Sequence, residues 1–478
     1  MTVQQIEITE AQALQALFDA QKAGFGLAPY PSRPQRLEAL ERLDALLKDN
    51  KAALIDAIDQ DFGSRARTET ILAELLGCHG TIHYARKNLA RWMGRRKRRT
   101  SFWSQPAKSY AMAQPLGVVG IMAPWNYSLH LSVAPLVAAL AAGNRVMLCM
   151  SEETPRLCAL LTRLIGDVFA PDHVVVVAGN PTTSPAFAAL PFDHLLFTGS
   201  TRVGKLVAIA AARNLTPVTL ELGGKSPAIV APDFSIEEAA ARISWGKSFN
   251  AGQTCIAPDY ACVPRASRDV FARAVLAKFT RSFKDIHSDD YTAIVSERFF
   301  VRLQALVTEA QEKGATILRP KGTSESAIQG VYKFPLTIVL DAPPECRLMH
   351  EEIFGPILPV LSYDSLDEVI THINAGPRPL SLYCFTHDRD TVERVQRETV
   401  SGTFGVNECL LQYAQEDLAF GGVGASGQGA YHGHAGFDTF SHAKSVFQQR
   451  GFGSFTGIKL LYPPYGPVAK LLLRMMSR

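Results

Sequence analysis

Leu37, Leu40, Leu43 and Leu47 recur three or four positions apart, with Glu38, Glu41, Arg42 and Lys48 between them. This is the spacing of an amphipathic helix with one apolar stripe. Leu54, Ala57 and Ile58 continue the pattern, so a helical stretch is predicted over 34–61, with Gly63 as its C-cap. A second amphipathic stretch is predicted over 69–92. Near Pro115 the pattern changes to short apolar runs alternating with helical periods. Strands are predicted at 116–122, 145–148, 173–178, 193–197 and 217–222, and helices at 130–142, 154–169 and 201–213. A helix over 235–249, a strand at 259–263 and a helix over 267–283 resume the alternation. Repeating βαβ units of this kind predict an α/β fold, with parallel sheets covered by helices on both faces. Such sheets offer a ligand crevice at the carboxyl ends of their strands.

The 478 residues suffice for two or three domains. A hydrophobic share of 47% with 20% charged residues is that of a globular chain with a large core. The net charge of +4 gives no global polyanion signal, so no nucleic-acid partner is expected. One dense basic run, Arg95-Arg96-Lys97-Arg98-Arg99, reads better as a solvated face or a subunit contact than as a nucleic-acid or membrane patch. The eight cysteines form no CxxC pair and no Cys/His set with zinc spacing. Neither a metal site nor a disulfide framework is expected, which suits a reducing compartment. Residues 1–10 carry no apolar core of a signal peptide, and no apolar run reaches the length of a membrane span. A cytoplasmic protein is expected.

Candidate chemistry centres on Phe249-Asn250-Ala251-Gly252-Gln253-Thr254-Cys255-Ile256-Ala257-Pro258. Cys255 stands in a short loop of small and polar residues, where a thiol can be exposed and ionised. The other seven cysteines read as small buried hydrophobes. Glu221, at the end of a predicted strand 34 residues earlier, is a candidate general base or a plain surface carboxylate. Asn126 follows another strand and either donates to a developing oxyanion or caps the next helix. In Phe197-Thr198-Gly199-Ser200-Thr201-Arg202-Val203-Gly204 a strand runs into a helix through glycines, the setting in which backbone N–H groups meet a phosphate. By itself that turn suits a plain strand-to-helix connection equally well. In His350-Glu351-Glu352-Ile353-Phe354-Gly355-Pro356, Glu352 could accept ribose hydroxyls and Phe354 could meet a flat cofactor ring; a helix start with a buried Phe is the alternative.

The motifs P-W-N, G-N-x-V, F-T-G-S-T-x-V-G-K, E-L-G-G-K-S-P, G-Q-x-C and E-E-I-F-G-P occur here in one order, and together the chain resembles the aldehyde dehydrogenase superfamily from about Phe25 to Lys444. The stretches 215–221, 420–424, 430–433 and 440–442 look like its class 3 branch, and the opening region and Tyr462-Pro463-Pro464-Tyr465-Gly466 look like bacterial coniferyl-aldehyde dehydrogenases. The resemblance implies a Rossmann-type cofactor domain (1–92 and 111–220), an α/β catalytic domain (221–405), a small β oligomerisation arm (93–110 and 406–450) and a C-terminal tail (451–478). It implies Cys255 as nucleophile, Glu221 as the base for thioester hydrolysis, and Asn126 with the Cys255 N–H as oxyanion donors. Trp125, Glu152, Gly199, Ser200, Val203, Gly204, Leu222, Glu352 and Phe354 would contact the cofactor. It also implies a homodimer.

The chain departs from the family pattern after Gly143-Asn144-Arg145-Val146-Met147-Leu148, where Cys149 occupies the place of a lysine that meets the adenosine ribose. With Glu152 retained and that cation gone, NAD is expected over NADP, with weakened affinity for both; NADP remains the alternative. Ser128, Gln412, Tyr413 and Ala419 also differ, the last three near the substrate entrance or subunit contact. The basic and apolar residues 470–478 are expected to pack on a partner subunit rather than anchor at a membrane surface. The expected function is oxidation of an aromatic (coniferyl-type) or medium-chain aldehyde to its acid. The alternatives are a CoA-acylating enzyme and a cofactor-impaired binding or scaffold protein.

Overall fold

The structure is a computed structural model and describes residues 10–450 and 457–477. The expectations for residues 1–9, and for 451–456 and Arg478 of the tail, fall outside the described residues. The helix predicted over 34–61 is two helices, Arg33–Asp49 and Lys51–Phe62. The break is at Asn50, whose side-chain amide turns back to donate to the Leu46 carbonyl at 2.8 Å, the local competition that makes Asn a helix terminator. Gly63 closes the second helix at φ 72°, as its lack of a Cβ permits. The stretch over 69–92 contains a π-helical segment, Thr70–Leu75, before Leu76–Trp92.

Two sheets organise the chain. The six-stranded sheet runs Gly427–Gln428, Val218–Glu221, His194–Thr198, Val118–Met122, Arg145–Met150, Val174–Ala178, parallel except for its first strand. The chain enters at Val118–Met122, moves outward through two strands, then returns to the other side. The switch point therefore lies between Val118–Met122 and His194–Thr198, and a crevice opens at their carboxyl ends. Pro124-Trp125-Asn126 leaves one of these strands and Gly199-Ser200 the other. Beneath them lies the helix His130–Ala142, all thirteen of whose residues are buried.

The seven-stranded sheet runs Thr316–Leu318, Thr337–Leu340, Ile357–Tyr363, Tyr260–Pro264, Pro227–Val230, Ser381–Phe385, Thr403–Val406, again parallel except for its first strand. A third, antiparallel sheet joins Arg96–Arg98, Lys108–Pro115 and Ser441–Gln448. Three elements sharpen the sequence boundaries. Glu221 ends a strand of the first sheet, Gly427–Gln428 pairs back onto that strand, and Lys108–Pro115 runs through the expected 110/111 division. Among the described residues no helix is long and apolar enough to cross a membrane. The tail helix Pro467–Met476 leaves Val468, Leu471, Leu473 and Met475 exposed.

Candidate active site

Between the helix Ile236–Ser248 and Cys255 the backbone takes a left-handed turn: Asn250, Ala251 and Gly252 have φ of 53°, 49° and 71°. For the two non-glycine residues this costs about 1–3 kcal/mol each, so the surroundings must hold it. The Glu69 carboxylate accepts the Asn250 N–H at 3.0 Å. The Asn250 amide donates to the carbonyls of Asn126 and Gln253, both at 3.0 Å. The fully buried Gln253 side chain donates to the Asn250 and Ala293 carbonyls and accepts the Val295 N–H. The glutamine of the G-Q-x-C motif is thus the splint that keeps the turn closed and presents Cys255.

Asn126 is 3% exposed, and its side-chain N–H₂ donates to the Gln253 carbonyl at 3.1 Å. Its own carbonyl also receives a charged donor, the Arg65 guanidinium at 2.8 Å. Arg65 is 2% exposed; it lies over the rings of Phe62 and Tyr127 and pairs with the Glu74 carboxylate at 3.5 Å. Glu74 accepts the Leu129 and His130 N–H groups just after Asn126. Nothing in the sequence pattern singled out Arg65, Glu69 or Glu74. Their only signal was charge, in or just before the amphipathic stretch over 69–92. Replacing Arg65 with Met leaves the buried Glu74 carboxylate without its cation and removes one of the two donors to the Asn126 carbonyl. A stability loss of about 3–5 kcal/mol and a kcat reduced roughly tenfold to a hundredfold are expected, with Arg65→Lys intermediate. Thermal unfolding and steady-state kinetics check both, and an unchanged kcat would remove Arg65 from the positioning of the turn.

Cys255 and Glu221 open on one cavity of about 360 Å³. Its walls are mostly apolar, with Leu72, Leu76, Trp245, Phe249 and Leu411 among them. Glu221 is 3% exposed, and neither carboxylate oxygen has a hydrogen-bond partner among the described residues. Burial alone pushes its pKa well above the carboxylate range. The Cys255 thiol is half-buried; desolvation first, then the charges of Glu352 and Glu221, push it up to about 12. A resident thiolate is disfavoured, so ionisation of Cys255 needs a proton acceptor, and Glu221 is the unpartnered base beside it. Of the other polar wall groups, the Tyr127 hydroxyl meets Thr254 Oγ1 at 2.6 Å and the Tyr413 hydroxyl meets that of Tyr431 at 3.3 Å.

The switch-point crevice gathers most of the residues expected to contact a cofactor. Ser200 caps the helix Thr201–Ala212 by accepting the Val203 N–H at 3.4 Å. A Cβ on Gly199 would come within 2.5 Å of the Phe197 ring, and one on Gly204 within 2.6 Å of Leu222, so the glycines keep this helix end close and open. Trp125 packs on Phe354 with ring centroids 5.4 Å apart. Glu352 lies against Gly223 and accepts the Gly224 N–H; burial and Asp259 raise its pKa to about 8. An uncovered helix N-terminus, an aromatic pair and a carboxylate near the thiol suit the pyrophosphate, ring and ribose of a dinucleotide. Glu152 stands apart, exposed on the turn after Arg145–Met150. Cys149 is 3% exposed, its sulfur 4.0 Å from Ser184 Oγ, within an apolar cluster that includes Phe18, Met122 and Phe187.

The family model of the aldehyde dehydrogenases, described as "Aldehyde dehydrogenase family", matches residues 2–446. The chain is 46% identical over 473 residues to a Pseudomonas aeruginosa protein named "Probable coniferyl aldehyde dehydrogenase", covering 98% of this chain and 97% of that one. Its fold is similar to that of Staphylococcus aureus AldH in a substrate-bound state, with a TM-score of 0.91 and 36% identity over 97% of this chain and 99% of that one. It is also similar to an NAD+ complex of an aldehyde dehydrogenase from Bacillus cereus, with a TM-score of 0.83 and 25% identity over 92% and 89% of the two chains. With the family model covering nearly its whole length, and the ordered motifs lying at the carboxyl ends of its sheets, this chain belongs to the aldehyde dehydrogenase family.

Proposed function

We propose that this protein oxidises aromatic aldehydes of the coniferyl type to carboxylic acids with NAD. The observation that carries this reading is that Cys255 and the unpartnered, buried Glu221 share one apolar cavity. The relative's name supports the aromatic substrate and the Bacillus cereus complex supports NAD. In this mechanism Glu221 takes the Cys255 proton and the sulfur adds to the aldehyde carbon. The Asn126 amide and the Cys255 N–H stabilise the oxyanion of the thiohemiacetal. NAD, when bound, accepts hydride, chemistry that no side chain supplies. Once Glu221 has passed the first proton to solvent, it deprotonates the water that hydrolyses the thioester, which releases the carboxylic acid and restores Cys255. Gly199, Ser200, Val203 and Gly204 would hold the pyrophosphate, Leu222 and Trp125 would flank the cofactor, and Glu352 and Phe354 would face the nicotinamide ribose and ring. Glu152 would approach the adenosine ribose from its turn.

The first sheet, with Glu221 and Gly427–Gln428 included, would form the cofactor domain and the second sheet the catalytic domain. A cytoplasmic homodimer would form through the antiparallel sheet. Its strand Ser441–Gln448 has one edge unpaired among the described residues.

Cofactor reduction measured with coniferyl-type, benzaldehyde and straight-chain aldehydes, each with NAD and NADP, tests the function. A lower KM for NAD is expected. Cys149→Lys, whose ammonium must leave the apolar cluster around Cys149 to meet the extra phosphate of NADP, should lower the KM for NADP relative to that for NAD. A wild type that prefers NADP overturns the cofactor assignment; no reduction with any aldehyde and either cofactor leaves a binding role. Product formed only when CoA is supplied would make the enzyme CoA-acylating.

A further inference from the structure

Two carboxylates line the cavity, and the proposed aldehyde chemistry uses only Glu221. The second, Glu416, comes from the segment between Tyr413 and Phe420, which also lines the cavity. Its Oε1 accepts the Thr81 hydroxyl at 2.9 Å, and its buried Oε2 has no hydrogen-bond partner among the described residues. The facing helix gives it a bare flank. Gly77 and Gly80 line the wall there, and a Cβ on Gly80 would sit 3.4 Å from Glu416 Oε1. The polar groups around it are largely engaged with one another. Tyr413 meets Tyr431 and His130 Nδ1 lies 3.7 Å from Cys78 Sγ; His432 rests its ring on that of Tyr413 with centroids 4.9 Å apart, and its two buried ring nitrogens have no hydrogen-bond partner among the described residues.

We propose that Glu416 is a specificity residue: its free oxygen accepts a hydrogen bond from the phenolic hydroxyl of a 4-hydroxyaryl aldehyde whose carbonyl reaches Cys255. The inference rests on the reading of this cavity as the aldehyde site, and deepens it. An aldehyde with a purely apolar ring leaves a buried carboxylate oxygen desolvated and unpaired. One that donates a hydrogen bond satisfies it, and sites built this way discriminate strongly against analogues lacking the donor. Burial raises the Glu416 pKa to about 7, consistent with a carboxylate held away from water. The carboxylates that raise the Cys255 thiol are Glu352 and Glu221, and Glu416 is not among them. It is therefore suited to reading the ring and not to the chemistry.

The test measures kcat/KM of the full-length protein with NAD for 4-hydroxycinnamaldehyde, 4-methoxycinnamaldehyde and cinnamaldehyde. The wild type is expected to favour the free phenol over both analogues by about tenfold or more. Glu416→Leu should bring the ratio towards unity, and Glu416→Gln, which keeps an acceptor for Thr81, should leave it intermediate. A wild type that oxidises all three equally overturns the role of Glu416 and leaves the enzyme assignment standing. So does a Glu416→Leu variant that keeps the full preference. A wild type that oxidises none of the three overturns the functional reading, and this inference with it. If Glu416→Leu does not fold, the wild-type series and Glu416→Gln still decide, because a reduced preference in Glu416→Gln supports the proposal, and either equal wild-type rates or full retention of the preference in Glu416→Gln rejects it.

Discussion

Replacing Cys255 with alanine is expected to lower aldehyde oxidation by roughly 10⁴-fold or more, as removal of a covalent nucleophile does elsewhere, while the protein still binds NAD. The separation follows from geometry. Cys255 faces the apolar cavity at the end of the left-handed turn, whereas the helix N-terminus at Ser200 and the Trp125–Phe354 pair belong to the switch-point crevice. Alanine also suits the site, since Cys255 makes no side-chain hydrogen bond that holds the turn; Asn250 and Gln253 do that. Cofactor titration followed by the reduction assay reads both halves. Retained turnover would overturn the assignment of Cys255, and lost cofactor binding would show that the loop is shared between the two sites.

Replacing Glu221 with glutamine should lower turnover by about 10²–10⁴-fold, the range of a lost general base. The amide fits the volume of the carboxyl but cannot take a proton from Cys255 or from water. If thioester hydrolysis is the step most dependent on Glu221, the variant shows one rapid equivalent of reduced cofactor per site followed by slow turnover. Rapid mixing distinguishes this from a slow first turnover, in which ionisation of Cys255 is the failing step. Unchanged turnover would remove Glu221 from the mechanism. The pH dependence has a definite sign. Both groups are raised, so loss of their protons is displaced to higher pH, and wild-type activity should climb with pH. Stability runs the other way. A carboxyl raised in the folded state favours folding most below its ordinary pKa. For Glu352 that contribution fades as pH rises through about 8.

How much of the site could be read beforehand varies by residue for physical reasons. The strand-end positions of Asn126, Glu221 and Gly199 followed from where apolar runs stop, because a parallel sheet leaves its polar residues at the carboxyl ends. The helix 130–142 matched the structure at both ends, and Gly143 ends it in the left-handed conformation at φ 92°. The helix over 34–61 did not, because a hydrophobic repeat passes smoothly through Asn50 while the side chain competes for its own backbone. Arg65, Glu69 and Glu74 were invisible. In sequence they are ordinary charges, and only packing against segments far along the chain, residues 126–130 for Arg65 and Glu74 and Asn250 for Glu69, makes them a buried frame.

The amino-acid sequence alone therefore determined the α/β alternation, the family motifs and the choice of Cys255, because these depend on local periodicity and on residues close in the chain. The tertiary structure decided the rest. It placed Glu221 and Cys255 on one mostly apolar cavity, and burial there moved their proton affinities. It turned Cys149 into the apolar cluster of the first sheet and left Glu416 with an unpaired oxygen in the cavity wall. Each of these properties depends on desolvation by residues remote in sequence, and burial of that kind exists only once the two sheets and their helices have closed on one another.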